Sequence, residues 1–212
     1  MMCGSTSKAT ILAALLLIGL PAAGVRAAAA QQPSKPAAGQ PSEEEMMKQM
    51  MALATPGEEH KELGKLVGTW RASIKMWMGP GEPTVSEGTI TYEWILGGHY
   101  LKSRHTSEFA GMPFEGMGID GYDRAQNFYY SLWFDTMGTG YMSLKGVATP
   151  DHKHFAYTGT MFEPAQGHEV KVREEVDWVD PNKYIFTMFS EMLGPDGKPT
   201  EMKVMEMTAT RQ

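Results

Sequence analysis

The sequence has almost no cysteine. Cys3 is the only one among its 212 residues, so no disulfide framework is expected and the fold must rely on its hydrophobic core. The sequence also lacks a Ser-His-Asp order, a phosphate-binding glycine loop and a Cys/His zinc spacing. These absences argue against a serine hydrolase, a nucleotide-binding protein and a zinc protein.

Long apolar runs are scarce too, and the one that stands out covers residues 11–20. Lys8 precedes this run, and alanines at 27–30 follow it as possible cleavage positions, which is typical of a secretory signal peptide. The run is too short for a membrane anchor, although a lone uncleaved helix is the alternative. Because Cys3 precedes the run, lipidation is not expected. We therefore expect residues 1–30 to be removed and the bacterial protein to be exported, either to the periplasm or outside the cell, with no integral membrane segment left.

The sequence also has fewer basic than acidic residues. Without residues 1–30 the chain has 17 basic and 25 acidic residues, a net charge of −8. A dispersed acidic surface argues against nucleic acid or an anionic membrane as the partner. Residues 31–41 (QQPSKPAAGQP) are rich in proline, glutamine and alanine, and this composition predicts a flexible linker.

Two helices are predicted in residues 42–65. Ser42 precedes three glutamates and is expected to cap the first helix, which continues to about Ala54. Thr55-Pro56-Gly57-Glu58 fits a capping box with proline at the first helical position, and predicts a second, shorter helix.

The sequence is rich in methionine, with 18 in the chain, and four of them fall on one stripe of the first helix: Met46, Met47, Met50 and Met51. Such a stripe predicts packing against the body of the protein or use as a cover over one end of it. Binding of Cu(I) by the thioethers is the alternative.

After residue 67 the apolar pattern changes from helical spacing to alternation. Turn residues separate ten predicted strands, at 69–78, 84–96, 99–109, 114–122, 128–135, 140–149, 154–163, 168–179, 183–193 and 201–211. Ten strands in one open sheet would leave long unpaired edges, and closure removes them. We therefore predict an all-β fold, an antiparallel up-and-down barrel of about ten strands spanning 66–212, with a sandwich as the alternative.

Three blocks carry a family resemblance. They are His60…Leu63…Leu66-Val67-Gly68-Thr69-Trp70, then Leu96-Gly97-Gly98-His99-Tyr100-Leu101, then Gly116…Gly121-Tyr122-Asp123. The first resembles the start of the calycin superfamily of lipocalins and fatty-acid-binding proteins, and the three together resemble an uncharacterised bacterial lipocalin-like family. The resemblance implies a barrel closed by Gly68 and Trp70, with a basic residue of the last strand, Arg211, over the tryptophan. We expect a tight two-residue hairpin at Gly97-Gly98.

The alternation predicts which side chains face into the barrel. The candidate ligand-binding residues share apolar or mixed inward faces: Tyr92, Trp94, Leu101, Ser103, His105, Val172, Glu174 and Trp178. Leu96 and His168 are expected on the same faces. This mixed lining favours a protein that binds a small hydrophobic or amphipathic molecule in its lumen; a partner-binding module is an alternative.

Glu174 interrupts an apolar face between Val172 and Val176. Burial raises the pKa of an unpaired carboxyl group, which suits a general acid or base, so a cofactor-independent enzyme is a second hypothesis. Tyr92, Tyr130 and Tyr157 are candidate partners. A structural role is the alternative, with Glu174 paired to an interior Arg or His, or placed at the wet mouth of the lumen.

The six histidines form no compact metal signature. His105, and also His99 and His168, are candidates for an inward position, where one could be an axial ligand of haem, while His152 and His154 are expected at an exposed turn. A hydrogen-bonded interior histidine is the alternative. No cofactor is predicted, no metal site is assigned, and the oligomeric state is left open.

Overall fold

The computed structural model describes residues 41–79, 81–194 and 197–212. The predicted signal peptide and all but the last residue of the predicted linker lie outside the described residues. Within the described residues, no helix is both long and apolar enough to cross a membrane.

The prediction of a ten-stranded antiparallel barrel is confirmed. Each strand pairs antiparallel with its neighbours in the chain, and the first also pairs with the last, so the ring is closed and a sandwich is excluded. The strands are β1 Gly68–Met76, β2 Thr84–Ile95, β3 Tyr100–Phe109, β4 Met112–Asp123, β5 Phe128–Asp135, β6 Met142–Ala148, β7 His154–Glu163, β8 His168–Asp180, β9 Lys183–Leu193 and β10 Pro199–Arg211.

Two short helices precede the barrel, α1 Glu43–Ala54 and α2 Glu58–Gly64. Ser42 caps α1 as predicted, because its hydroxyl accepts a hydrogen bond from Glu45 N–H (3.2 Å) while Ser42 N–H donates to Glu45 Oε2 (2.7 Å).

The capping box predicted at Thr55 is wrong. The N-cap of α2 is Gly57, whose N–H donates to His60 Nδ1 (3.2 Å). Thr55 instead donates its hydroxyl hydrogen to the Met51 carbonyl (2.8 Å) at the end of α1. The side chain that caps α2 is therefore His60, from within the helix, and Thr55 lies at the C-terminal end of α1.

The barrel has two different ends. At the helix end lie α2 and the connections β2–β3, β4–β5, β6–β7 and β8–β9; at the hairpin end lie the loops of the five hairpins β1–β2, β3–β4, β5–β6, β7–β8 and β9–β10. The inward side chains nearest the helix end are tightly packed, with Trp70, Leu101 and Ala209 fully buried. The hydrophobic core is therefore concentrated at the helix end.

The helix that closes this end is α2. Leu63 is buried in one core cluster with Leu101, Tyr129 and Phe155 from the barrel wall. Gly64 lies against the Trp94 ring, since a Cβ added there would come 3.3 Å from Cζ2.

The expectation that the methionine stripe of α1 packs against the body is wrong. Met46, Met47, Met50 and Met51 are each about half exposed, and no residue of α1 is buried. Hydrogen bonds hold α1 at its C-terminal end, where Arg124 Nη1 binds the Thr55 carbonyl (2.7 Å) and also that of Ala52. The stripe faces solvent because these polar contacts fix the helix without using its apolar side.

The expected two-residue hairpin between β2 and β3 is also wrong. A 3₁₀ turn, Leu96–Gly98, makes this connection, with positive φ at all three residues. Leu96 therefore leaves the inward face and is 72% exposed. His99 is also exposed, not inward, and its ring nitrogens contact the carbonyls of Leu96 (2.6 Å) and Ala54 (2.7 Å).

Candidate functional site

The strand register defines the inward face of the barrel. Side chains of paired residues share a face, and Trp70 pairs with Ile90 on β2, which pairs with His105 on β3. The same alternation runs around the closed ring. It places all eight candidate ligand-binding residues on the inside: Tyr92, Trp94, Leu101, Ser103, His105, Val172, Glu174 and Trp178.

His168 does not lie in the lumen as expected. It pairs with Glu163 at the very end of the β7–β8 hairpin, is exposed, and has Nδ1 3.0 Å from the Gln166 carbonyl. The hairpin extends beyond the barrel wall, so alternation continues there without any interior to face. With His99 also exposed, His105 is the interior histidine to which the haem hypothesis applies.

The helix end is sealed by Trp70 and Arg211. The Arg211 guanidinium carbon lies 4.2 Å from the centroid of the Trp70 ring, and its nitrogens donate to the carbonyls of Val67 (2.8 Å) and Lys65 (2.5 Å). Gly68 has φ of 123°, a conformation that favours glycine, and an added Cβ would lie 3.1 Å from Arg211 Nη1. This part of the barrel is structural.

Glu174 is the most unusual side chain in the lumen. It is only 8% exposed and pairs across the sheet with Tyr157 on β7 and Met188 on β9. No hydrogen bond or ion pair to its carboxyl group occurs among the described residues, and no arginine or histidine neutralises it. Burial, together with the nearby Asp120 charge, raises the pKa of Glu174 to about 8, so the group is mainly protonated at neutral pH.

Asp120 is a second interior carboxyl group, which the sequence analysis missed. It lies on the inward face of β4, paired with Leu101 and with Ser131. Burial raises the pKa of Asp120 to about 6, and a hydrogen bond with Ser131 opposes part of that rise. The strands of Asp120 and Glu174, β4 and β8, lie four strands apart around the ring, so the two carboxyl groups face the lumen from different parts of the wall.

The inward position of Asp120 is hard to predict from the sequence because its neighbours on that face of β4 are glycines. Gly116 and Gly118 occupy the two preceding inward positions, while the apolar Met117 and Ile119 lie on the outer face. The glycines make room for neighbouring side chains, since an added Cβ would lie 2.3 Å from the Trp133 ring at Gly116 and 2.5 Å from Ser103 Oγ at Gly118. The alternation of inward and outward residues along β4 could have revealed Asp120, because it places Asp120 on the same face as the two glycines.

Three tyrosines join the two carboxyl groups in the lumen. Tyr92 and Tyr184 hydrogen-bond through their hydroxyl groups (2.9 Å). Burial, with a smaller contribution from the Asp120 charge, raises the pKa of both and of Tyr157. Tyr157 is 7% exposed and its hydroxyl group makes no hydrogen bond with any described residue. We call Tyr92, Asp120, Tyr157, Glu174 and Tyr184 the lumen cluster.

Tyr130 cannot be the partner of Glu174 that the sequence suggested. It points outward from β5, and its ring covers Gly121, where an added Cβ would lie 2.2 Å from the Tyr130 hydroxyl oxygen. The adjacent Tyr129 points inward instead. Its hydroxyl group is the fully enclosed side-chain polar group that lacks a partner within the described residues.

His105 lies beside the lumen cluster. Its ring meets the Trp133 ring edge-on with centroids 4.8 Å apart, and the Tyr92 ring lies at 6.3 Å. Burial lowers the pKa of His105 to about 4, so the imidazole is neutral at neutral pH. Across residues 41–79, 81–194 and 197–212, no group of three or more His, Cys, Asp and Glu residues could hold a metal ion.

The oxygens of Glu174 and Tyr157 border space inside the barrel. Tyr129 is the described residue with a fully enclosed side-chain polar atom that lacks a partner. The oxygens of Glu174 and Tyr157 are therefore not fully enclosed. Since both residues are more than nine-tenths buried and neither makes a hydrogen bond, their oxygens must face a gap in the packing. The inward Asp120, Tyr92 and His105 also retain some accessible surface.

The hairpin end is the less sealed end. Inward side chains there, such as Phe109, Phe114 and Met142, are only partly buried. Exposed apolar side chains lie at this end on all five hairpins: Met78, Met112, Met137, Tyr141, Phe162 and Leu193. We call this set the apolar rim.

Two depressions lie outside the lumen. One of about 670 Å³ lies on the outer wall and is lined mainly by polar residues of β1, β2 and β3, such as Arg71 and Glu87. The other, of about 340 Å³, lies between the C-terminal end of α1 and the barrel, beside His60 and Tyr122. Neither is lined by a residue of the lumen cluster.

Comparison with known proteins assigns a family. Residues 55–211 match the family described as "Protein of unknown function (DUF1579)", and the chain belongs to it. The match covers α2 and all ten strands. No curated protein matches the chain.

Two solved structures are similar to the chain over most of its length. A redesigned β-barrel, b11L5F_LGL, is 17% identical with a TM-score of 0.36, and the match covers 70% of this chain and 93% of the other. The protein EF1p2_mFAP2b bound to DFHBI is 12% identical with a TM-score of 0.39, and the match covers 72% and 98%. At such low similarity neither structure bears on what this chain binds.

Proposed function

We propose that this protein binds a small amphipathic molecule inside its barrel, and that the barrel is of the calycin type. Trp94 and Trp178, which are partly exposed, form apolar walls around the ligand, and the fully buried Leu101 and Val172 support them in the same core cluster. The lumen cluster and His105 hold its polar part. Binding sites of this kind are concave and mostly apolar, with a few polar groups that fix orientation.

The observation that carries this proposal is the state of Glu174 and Tyr157. Both residues are buried on adjacent strands, and neither makes a hydrogen bond with a described residue, yet their oxygens are not fully enclosed. A molecule bound in the lumen can therefore donate hydrogen bonds to them or accept hydrogen bonds from them.

The ligand passes through the hairpin end in this proposal. Trp70, Arg211 and α2 seal the opposite end. The apolar rim provides a surface over which an amphipathic molecule can reach the lumen without losing contact with apolar groups.

Native mass spectrometry of the protein purified from its own host tests the proposal. The expected result is a mass excess that disappears on denaturation. A lumen-filling variant, Val172→Phe, should abolish the excess, because Val172 is fully buried between the small residues Gly159 and Ser190. Lys171→Phe is the matched control, since Lys171 is exposed on the outer face of the same strand. An excess that Val172→Phe retains while folded would place the ligand outside the barrel.

A second candidate function is acid/base catalysis by Glu174, favoured by its pKa of about 8 and by Tyr157 beside it. The test is exchange of the α-hydrogens of simple ketones in deuterium oxide, followed by NMR. Glu174→Gln should abolish enzyme-dependent exchange while the outward Glu175→Gln retains it. Equal rates in both variants would remove this candidate.

The mature protein acts after export in this proposal. Its support is the sequence pattern of residues 1–30. Mass analysis of protein recovered from the periplasm and medium of the host should show a chain that begins near residue 31. Recovery of the full-length chain from the cytoplasm would reject export.

A further inference from the structure

The lumen contains acidic groups without a matching cation. On the described strands, the register places Asp120 and Glu174 on the inward face, and Arg211 is the one inward arginine or lysine. Arg211 lies at the helix end, where its nitrogens bind backbone carbonyls and its charge stacks on Trp70. It therefore does not neutralise either carboxyl group.

The hydroxyl group of Tyr157 is a second, independent indication of a missing partner. Tyr157 is 93% buried, pairs directly with Glu174 across β7 and β8, and makes no hydrogen bond with any described residue. Burial, followed by the charges of Asp120 and Glu174, raises the pKa of Tyr157, so the three groups lie within electrostatic range of one another. No arginine or lysine of the described strands lies among them.

We propose that the polar group of the bound molecule is a protonated amine held between Glu174 and Asp120, so that the barrel selects small amphipathic amines. This inference rests on the proposed function. An ammonium group supplies up to three donors, enough for both carboxylates and Tyr157 Oη. The faces of Tyr92 and Tyr157 add cation–π attraction to the same charge.

The charge balance discriminates between ligand classes. A protonated amine favours the ionised form of both carboxyl groups, whereas a fatty-acid carboxylate would place a negative charge beside them and be repelled as they ionise. A neutral alcohol can hydrogen-bond with the same groups but gains no charge interaction when they ionise. We therefore expect affinity in the order amine, neutral molecule, carboxylate.

Three dansyl probes with the same five-methylene spacer test the order: N-dansyl-1,5-diaminopentane, N-dansyl-hexylamine and N-dansyl-6-aminohexanoic acid. The first ends in an amine, the second in a methyl group and the third in a carboxylate. The expected result is that the amine probe binds at least about tenfold more tightly than the methyl probe at pH 8, the size of effect of one desolvated charge pair. The carboxylate probe should bind least.

The preference should depend on pH. The titrating groups that interact with Glu174 are Asp120 and Tyr157. Tyr92 and Tyr184 interact with Asp120, and the His105 ring lies against Tyr92. The amine probe stays protonated between pH 6 and 9, and its affinity should rise about tenfold or more as the carboxyl groups ionise. The affinity of the methyl probe should not rise with pH.

Variants of the two carboxyl groups test whether these groups cause the preference for the amine probe. Glu174→Gln and Asp120→Asn should each reduce the amine preference to about threefold or less and flatten its pH dependence. Glu175→Gln, which removes an outward carboxyl group paired with Arg173, should change neither. Equal binding of the amine and methyl probes overturns the amine inference and leaves the lumen proposal standing. Failure of all three probes to bind overturns both.

Discussion

Arg211 on the last strand lies over the ring of Trp70 on the first, with 4.2 Å between the guanidinium carbon and the ring centroid. The same guanidinium also donates to the carbonyls of Lys65 and Val67 in the segment between α2 and β1. One side chain thus joins the two strands that meet at the closure of the ring and ties down the segment that leads into it.

Arg211→Ala is expected to lower the free energy of unfolding by about 2 kcal/mol, because it removes a cation–π contact and two hydrogen bonds from a charged donor. Urea denaturation measures the change. Arg211→Lys keeps the charge but cannot reach both carbonyls with the same geometry, so its loss should be intermediate. Arg71→Ala, on the outer face of β1, is the control and should change stability by no more than about 0.5 kcal/mol.

Glu174 makes the stability of the barrel depend on pH. Because burial raises its pKa from 4.5 to about 8, the folded protein holds a proton that the unfolded chain releases in this range. The free energy of unfolding contributed by this group is therefore greatest below pH 4.5 and falls as pH rises to about 8. Relative to wild type, Glu174→Gln should gain stability between pH 5 and pH 9.

Thermal unfolding of Glu174→Gln and Glu175→Gln across that pH range provides the comparison. The midpoint difference between Glu174→Gln and wild type should grow with pH, and Glu175→Gln should show no such trend. A constant difference would mean that Glu174 is ionised in the folded protein throughout.

The two helices are expected to contribute differently to the free energy of unfolding, and substitution of one leucine in each measures the difference. Leu63 in α2 is 3% exposed, whereas Leu53 in α1 is 49% exposed. Leu63→Ala should lower the free energy of unfolding by about 2–4 kcal/mol, the usual cost of a cavity in a core. Leu53→Ala should cost less than about 0.5 kcal/mol. Similar losses in chemical denaturation would show that α1 also packs against the barrel.

Gly146 holds Tyr157 in place inside the barrel. An added Cβ would lie 2.4 Å from Tyr157 Cδ1, while a Cβ at Gly140 meets no atom within 4 Å. Gly146→Ala should therefore displace the tyrosine and cost about 1–3 kcal/mol. Gly140→Ala should be close to neutral. Denaturation gives the stabilities, and dansyl-probe binding shows whether the displaced ring alters the lumen.

The barrel was predictable because its signals are local. Strict alternation along each strand and turn residues between them predicted ten strands whose bounds differ from the structure by a few residues. The inward placement of Glu174 followed from the same alternation, since its neighbours Val172 and Val176 are apolar.

The position of Asp120 was harder to predict because apolar content marks the inward face only where that face is apolar. On β4 the inward residues Gly116 and Gly118 are small so that Trp133 and Ser103 can fit. Those partners come from other strands, and a single sequence does not pair them. The methionine stripe of α1 led to a wrong prediction for a similar reason. An apolar stripe predicts burial, but Arg124 and His99 hold that helix through hydrogen bonds to carbonyl groups at its C-terminal end.

The pairing of β1 with β10 sets the order in which the barrel can form. Nine of its ten strand pairs join neighbours in the chain, while the tenth joins Trp70 to Arg211 across nearly the whole domain. Contacts so distant in sequence form slowly. Until the last strand has been synthesised the sheet is an open ribbon with exposed edges, which are prone to pair with other chains. The side chain that completes the ring is Arg211, so a chain truncated before Arg211 lacks this contact when the ring closes.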